Sequence, residues 1–222
     1  MLTEKKAVIF DMDGTLIDSM WVWHSVDEIY MQKYHLIEPD DFHEEMEGMS
    51  FAEVADYFLR AFPNLMLTTA EIMEEWHQLA MDKYRNEVQL KEGALEFLLS
   101  LKEQGICLGI ATSNSRELAE AVLDAHGIRN LFDCILTSDE AKAGKPAPDV
   151  YLKVAEKLNV LPAQCLVFED VPKGILAGKN AGMTVCAVYD AAAEYQEEKK
   201  RELADYSIRN FFDIKNKTYE VL

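Results

Sequence analysis

The sequence predicts an α/β protein: a Rossmann-like, three-layer core around a parallel sheet, with a small all-helical domain inserted near its start. Two textures predict it. From residue 90 onward short apolar runs alternate with helical patterns, the signature of strand–helix units that build a parallel sheet covered on both faces. Residues 18 to 87 carry helical spacing and no convincing strand, which is too long a stretch for an ordinary connection.

In chain order, Ala7–Phe10 is a short apolar run and supplies the first strand. In the block that follows, Val22, Val26, Ile29 and Tyr30 mark one helix. Phe51, Val54, Ala55, Phe58, Leu59 and Phe62 mark a second, and Ile72, Met73, Trp76, Leu79, Ala80 and Tyr84 a third. Further strands are expected at 106–111, 134–136, 165–168 and 184–188. A helix lies between the first two, where Leu118, Ala121, Val122 and Ala125 share one face. Asn114-Ser115-Arg116-Glu117 reads as its capping box, with Asn114 as the cap. Pro148 and Pro172 each suit a first helical turn. The charge run 194–202 reads as a solvated helix face. The domain division is therefore 1–17 core, 18–87 helical cap and 88–222 core.

Composition narrows the function. The net charge of −18 disfavours nucleic acid and anionic membranes as partners, because both repel such a surface. An anionic substrate then needs local positive charge supplied by the site itself. Cys107, Cys134, Cys165 and Cys186 form no C-x-x-C pair and sit in or beside strand-like runs, so reduced core thiols are expected, not a zinc site. The opening MLTEKK has no signal-peptide pattern and no apolar run approaches about 18 residues. A cytoplasmic monomer is the expectation.

The chemistry-bearing residues fall where predicted strands end. Open α/β sheets bind ligands beyond the carboxyl ends of their strands. The first strand runs into Asp11-Met12-Asp13-Gly14-Thr15. Two carboxylates there are a metal site, a nucleophile and acid pair, or both, with Gly14 providing a sharp turn. The second strand runs into Ala111-Thr112-Ser113-Asn114-Ser115 and opens a helix, whose first N–H groups favour anions. In Gly144-Lys145-Pro146-Ala147-Pro148-Asp149, the proline at 146 holds Lys145 out of helical geometry as a fixed charge. The strand at 165–168 ends in Glu169-Asp170, oxygen ligands suited to a hard cation such as magnesium. Gly174 and Gly178 then share one helix face and permit close approach to the sheet.

In this order, Asp11-x-Asp13-Gly14-Thr15, Thr112, Lys145 and Glu169-Asp170 resemble the haloacid dehalogenase superfamily over nearly the whole chain. The Gly144–Asp149 and Phe168–Asp170 motifs look like the branch that holds beta-phosphoglucomutase and sugar-phosphate phosphatases. The resemblance implies Asp11 as nucleophile forming an aspartyl-phosphate, and Asp13 as the acid and base that also touches Mg2+ through its carbonyl. It implies Thr112 and Lys145 as catalytic partners of the phosphoryl group, and Ser113 and Asn114 as substrate-binding residues. Asp11, Asp13, Asp170 and Glu169 are the implied metal ligands. Asp13 argues for phosphoryl chemistry over dehalogenation.

The substrate implied is a small phosphorylated metabolite, a sugar or polyol phosphate. A phosphohexomutase is the alternative. The histidine position of the first cap helix of beta-phosphoglucomutase falls here on Trp23, with His24 one step off, and its basic positions near Gly48 fall on Glu47 and Phe51, which favours the phosphatase. Trp21, Trp23, His24 and Met49 are candidates to face the substrate, against the plainer reading of cap core. A receiver-like phospho-acceptor module is disfavoured by the block at 18–87.

Overall fold

In a computed structural model, which describes residues 1–39 and 42–222, the chain forms a seven-stranded sheet flanked by helices. The elements in chain order are β1 (Ala7–Phe10), β2 (Ile17–Asp18), α1 (Met20–Tyr34), α2 (Phe42–Met46), α3 (Phe51–Ala61), α4 (Thr69–Asn86) and β3 (Gln89–Leu90). They continue with α5 (Ala94–Glu103), β4 (Cys107–Thr112), α6 (Arg116–Ala125), β5 (Cys134–Thr137), α7 (Asp149–Lys157), β6 (Cys165–Glu169) and α8 (Pro172–Asn180). β7 (Thr184–Val188), α9 (Glu197–Leu203), β8 (Tyr206–Ile208), α10 (Phe212–Asn216) and β9 (Glu220–Val221) complete the chain.

The sheet order is β5-β4-β1-β6-β7-β8-β9, parallel except for β9. β1 lies at the centre because all four of its residues are apolar and buried, so it can take a strand on each side and a layer on each face. Val8 and Phe10 face one apolar layer, and Ala7 and Ile9 the other. The second layer is closed by Val150, Val154 and Ile175 of α7 and α8. The first contains Phe97 and Leu98 of α5 and Leu118 and Val122 of α6. It also runs without a break into Val22, Tyr30, Phe58 and Trp76 of the 18–87 segment. That segment is thus seated on the sheet layer through α4, which packs on α6.

Four sequence expectations shift. Ser115, not Asn114, caps α6: its side chain accepts from the Leu118 N–H, and Asn114 is used elsewhere. Pro148 sits at the cap position before α7, while Pro172 does occupy the first turn of α8. The charge run 194–202 is not wholly solvated. Lys200 is fully buried, with Nζ donating to the Val188 carbonyl and paired with Glu197. Finally, two strand pairs were not anticipated. β2 and β3 pair antiparallel where the chain leaves for the helical segment and where it returns. β8 and β9 extend the sheet edge.

Candidate active site

Three central strands deliver the site. β1, β4 and β6 are adjacent and parallel, so their carboxyl ends coincide, and they carry Asp11, Thr112 and Glu169-Asp170. Chain order reverses at β1, whose neighbours are β4 and β6, which makes this the switch point where α/β sheets bind ligands. The strand ends are stiffened from below. Phe10 and Phe168, the residues just before Asp11 and Glu169, stack with ring centroids 5.3 Å apart. The Asp11 N–H donates to the Phe168 carbonyl at 3.0 Å.

Lys145 is the centre of the charge arrangement. Its Nζ lies 2.5 Å from Asp11 Oδ1, 2.5 Å from Glu169 Oε1 and 3.3 Å from the Ala111 carbonyl. It is almost fully buried, so its charge is directed at these partners and little screened. Burial opposes the ammonium form, but the Asp11 and Glu169 carboxylates outweigh it and hold the lysine above its usual range. The Tyr151 hydroxyl donates to Glu169 Oε1 at 2.6 Å, and the Asp170 N–H to Oε2 at 3.1 Å. Thr15 donates to Asp170 Oδ1 at 2.7 Å.

Asp11, Glu169 and Asp170 each offer a carboxylate oxygen within 4.8 Å of the others, and all three are buried. Burial, then the neighbouring charges, raises both outer acids. Asp11 is pushed well up by desolvation, against the pull of Lys145, and by Glu169 and Asp170. Asp170 is pushed up to about 8 by desolvation and Glu169. An all-oxygen set of carboxylates that repel one another in a buried site is the donor chemistry that fits a hard divalent cation. The Asp13 carboxylate stands outside this group.

The Asp13 carboxylate is held instead by three donors. Ser19 Oγ donates at 2.6 Å and the Tyr84 hydroxyl makes a short bond, both to Oδ1. Asn114 Nδ2 donates to Oδ2 at 3.0 Å and also reaches the Tyr84 oxygen at 2.9 Å. Burial and the nearby Asp13 charge raise the Tyr84 phenol well above its ordinary range, so it remains a donor. Thr112 Oγ1 accepts from the Asn114 N–H at 3.0 Å, and its own proton is left to donate to a ligand.

Two glycines are required by the carboxylates. Gly14 turns the chain with φ +80°, and a Cβ there would lie 2.3 Å from Asp170 Oδ2. A Cβ on Gly174 would lie 2.0 Å from Glu169 Oε1, so α8 approaches β6 only because that side chain is missing. Gly178 plays the same part against Val185, at 2.8 Å.

All eight residues singled out from the sequence converge. Asp11, Asp13, Thr112, Ser113, Asn114, Lys145 and Asp170 line one cavity of about 580 Å³, and Glu169 lies directly behind Lys145. Of the helical-segment candidates, Trp23, His24 and Met49 line it too. Trp21 does not: it is half-exposed, its indole N–H donates to the Asp18 carbonyl, and Lys83 stacks on its ring. Tyr84, Ser19 and Tyr151 were missed. The spacing of Tyr84 signalled a buried helix face, but nothing signalled that its hydroxyl would reach Asp13.

Residues 8–188 match the family model for haloacid dehalogenase-like hydrolases. Among characterised relatives, hexitol phosphatase B of Escherichia coli is 30% identical over 209 residues, covering 94% of this chain and 93% of its own. Validoxylamine A 7'-phosphate phosphatase of Streptomyces hygroscopicus is 32% identical over 178 residues, covering 80% and 83%. In fold, CbbY from Rhodobacter sphaeroides superposes with a TM-score of 0.82 at 24% identity, over 95% of this chain and 96% of that one. A beta-phosphoglucomutase from Clostridium difficile superposes with a TM-score of 0.79 at 23% identity, over 96% and 95%. With the family model spanning most of its length and relatives at 30–32% identity covering 80–94% of it, the chain belongs to the haloacid dehalogenase-like hydrolase family.

Proposed function

We propose that the protein is a Mg2+-dependent phosphatase that hydrolyses a small phosphorylated metabolite, a sugar or polyol phosphate, through an aspartyl-phosphate on Asp11. The observation that carries this reading is Lys145 Nζ set between Asp11 and Glu169, beside Asp170, at the floor of a cavity large enough for a metabolite. The relatives named for hexitol and validoxylamine A 7'-phosphate support the substrate class.

In this reading the substrate phosphoryl group sits against Thr112, Ser113 and Asn114, oriented by hydroxyl and backbone donors at the start of α6. Lys145 offsets the repulsion between the phosphoryl oxygens and Asp11, and Asp11 attacks phosphorus. Phosphoryl transfer is mainly positioning and charge neutralisation, and a carboxylate nucleophile divides it into two easier steps. Asp13 gives its proton to the departing alcohol oxygen, then takes a proton from the water that releases phosphate. Ser19, Tyr84 and Asn114 aim its carboxylate for both tasks. Asp11, Asp170 and Glu169, with the Asp13 carbonyl, would hold Mg2+, which neutralises phosphoryl charge when bound. Residues 18–87 form the cap, on a core of 1–17 and 88–222. Its paired hinge strands β2 and β3 and the residues it contributes to the cavity support that division.

A panel of phosphorylated metabolites assayed with Mg2+ and again with excess chelator tests the proposal. Release of phosphate from sugar or polyol phosphates with metal alone is expected. Equal release in chelator, or none from any member, would overturn it.

A further inference from the structure

The cavity has two unlike walls. Its floor is the polar site just described. The wall from the helical segment carries an apolar group: Trp23, Val26, Met49, Phe51 and Val54 line it, with Trp23 packed at 6.1 Å on the Tyr84 ring whose hydroxyl holds Asp13. The Trp23 and Phe51 rings pack with centroids 5.9 Å apart and planes tilted by 59°, so this wall is built rather than loose.

The charged groups around the cavity are just as uneven. Among the described residues Lys145 is the single lysine or arginine on the wall, and its Nζ is already shared by Asp11 and Glu169. The remaining acidic side chains on the lining are Asp27, which burial pushes up to about 7, Glu47 and Asp190. Glu47 is fixed in place. Its Oε1 accepts from the Lys173 N–H at 3.1 Å and its Oε2 from Gln196 Nε2 at 2.6 Å. Asp190 is held by Lys91 and by the Ala192 N–H. His24, the one imidazole lining the cavity among the described residues, is mostly exposed and faces Glu28 at 3.3 Å.

We infer that the substrate carries its phosphoryl group as its only anionic group, on an uncharged alcohol that lays an apolar face against Trp23 and Phe51. This deepens the phosphatase reading and rests on it. A second phosphate against this wall would lose water, meet acidic side chains and find, among the described residues, no lysine or arginine to pair with except Lys145, which is already shared. A sugar or polyol chain has neutral hydroxyls for the rim and a C–H face for the rings. The bisphosphates that a phosphohexomutase must accommodate are excluded on the same ground.

The test compares kcat/KM with Mg2+ for a hexitol monophosphate, a hexose bisphosphate and acetyl phosphate, whose leaving group barely enters the cavity. The monophosphate is expected to exceed the bisphosphate by about 100-fold. Val54→Lys places an ammonium on the apolar wall and is expected to narrow that ratio at least about 10-fold. Trp23→Ala is expected to raise KM for the monophosphate about 10-fold, with a smaller change in kcat. Acetyl phosphate turnover with equal or better use of the bisphosphate overturns the inference and leaves the phosphatase reading standing. An unchanged KM in Trp23→Ala overturns the apolar-face part. Failure to hydrolyse any of the three, acetyl phosphate included, overturns the phosphatase reading and the inference with it.

Discussion

Gly174→Ala is the substitution in which helix propensity and the site disagree most. Gly174 lies in α8, where exchange of glycine for alanine ordinarily gains about 1 kcal/mol. Here the new Cβ would stand 2.0 Å from Glu169 Oε1 and 2.1 Å from its Cδ. Glu169 is fully buried and cannot swing into solvent. Overpacking costs about 1–3 kcal/mol, and each hydrogen bond to a charged group that is broken costs about 1.5–3 kcal/mol more. Glu169 holds two such bonds on Oε1, from Lys145 and Tyr151. Setting the helix gain against one strained packing contact and one lost bond leaves a net loss of about 3 kcal/mol.

In a chain of this length that is a fall in Tm of about 6–12 °C. Lys145 moves with Glu169, and a displacement of about 1 Å in a positioned group costs about 100-fold in kcat. Thermal unfolding by circular dichroism and steady-state hydrolysis of an aryl phosphate measure the two effects. Gly127→Ala is the comparison: its φ is +66° but a Cβ there meets nothing within 4 Å. It is expected to lose about 1–2 kcal/mol from backbone strain and to keep its kcat. A Gly174→Ala protein as stable and as active as the parent would refute the packing argument.

Tyr84→Phe removes one of the three donors to Asp13 and is expected to lower kcat about 10-fold with little change in KM, read by steady-state kinetics. The carboxyl of Asp170 is raised in the folded protein from an ordinary 3.8 to about 8, and Asp11 moves the same way. The folded state therefore binds more protons than the unfolded chain across that window, and stability of the metal-free protein falls as pH rises from about 4 to 8. A cation among these carboxylates replaces the protons, so saturating MgCl2 is expected to raise Tm by about 5 °C or more at pH 8.5 and by less at pH 5, measured by differential scanning calorimetry. A Mg2+ shift that is the same at both pH values would count against the Asp11–Glu169–Asp170 site.

The parts of this fold legible in the sequence are those written as runs. Ala7–Phe10 is an unbroken apolar tetrad, and a strand buried on both faces needs that pattern, so its limits and its central place follow together. Asp11, Thr112 and Glu169-Asp170 were legible because each stands at the end of such a run, and Lys145 because of the prolines beside it. Gly174 was legible as a close approach because it shares a face with Gly178, though not that a carboxylate would fill the gap. What stayed hidden is set by direction. Tyr84 and Tyr151 look like core aromatics, since their rings are core and only their hydroxyls reach Asp13 and Glu169. Asn114 looked like a helix cap because Asn and Ser compete for that position; Ser115 takes it, and Asn114 is left to bridge Asp13 and Tyr84. Lys200 looked solvated amid charged neighbours, yet it is the one residue of α9 that is buried. β8 and β9 are three and two residues long, too short to show a period.

In the proposed reaction a carboxylate oxygen of Asp11 takes the phosphoryl group. Rapid quenching of the Mg2+-loaded enzyme during turnover, followed by peptide mass spectrometry, tests it directly. A phosphoryl adduct on the peptide that contains Asp11, absent from a folded but inactive Asp11→Asn protein, is the predicted result. An adduct on another residue, or near-normal turnover by Asp11→Asn, would contradict it.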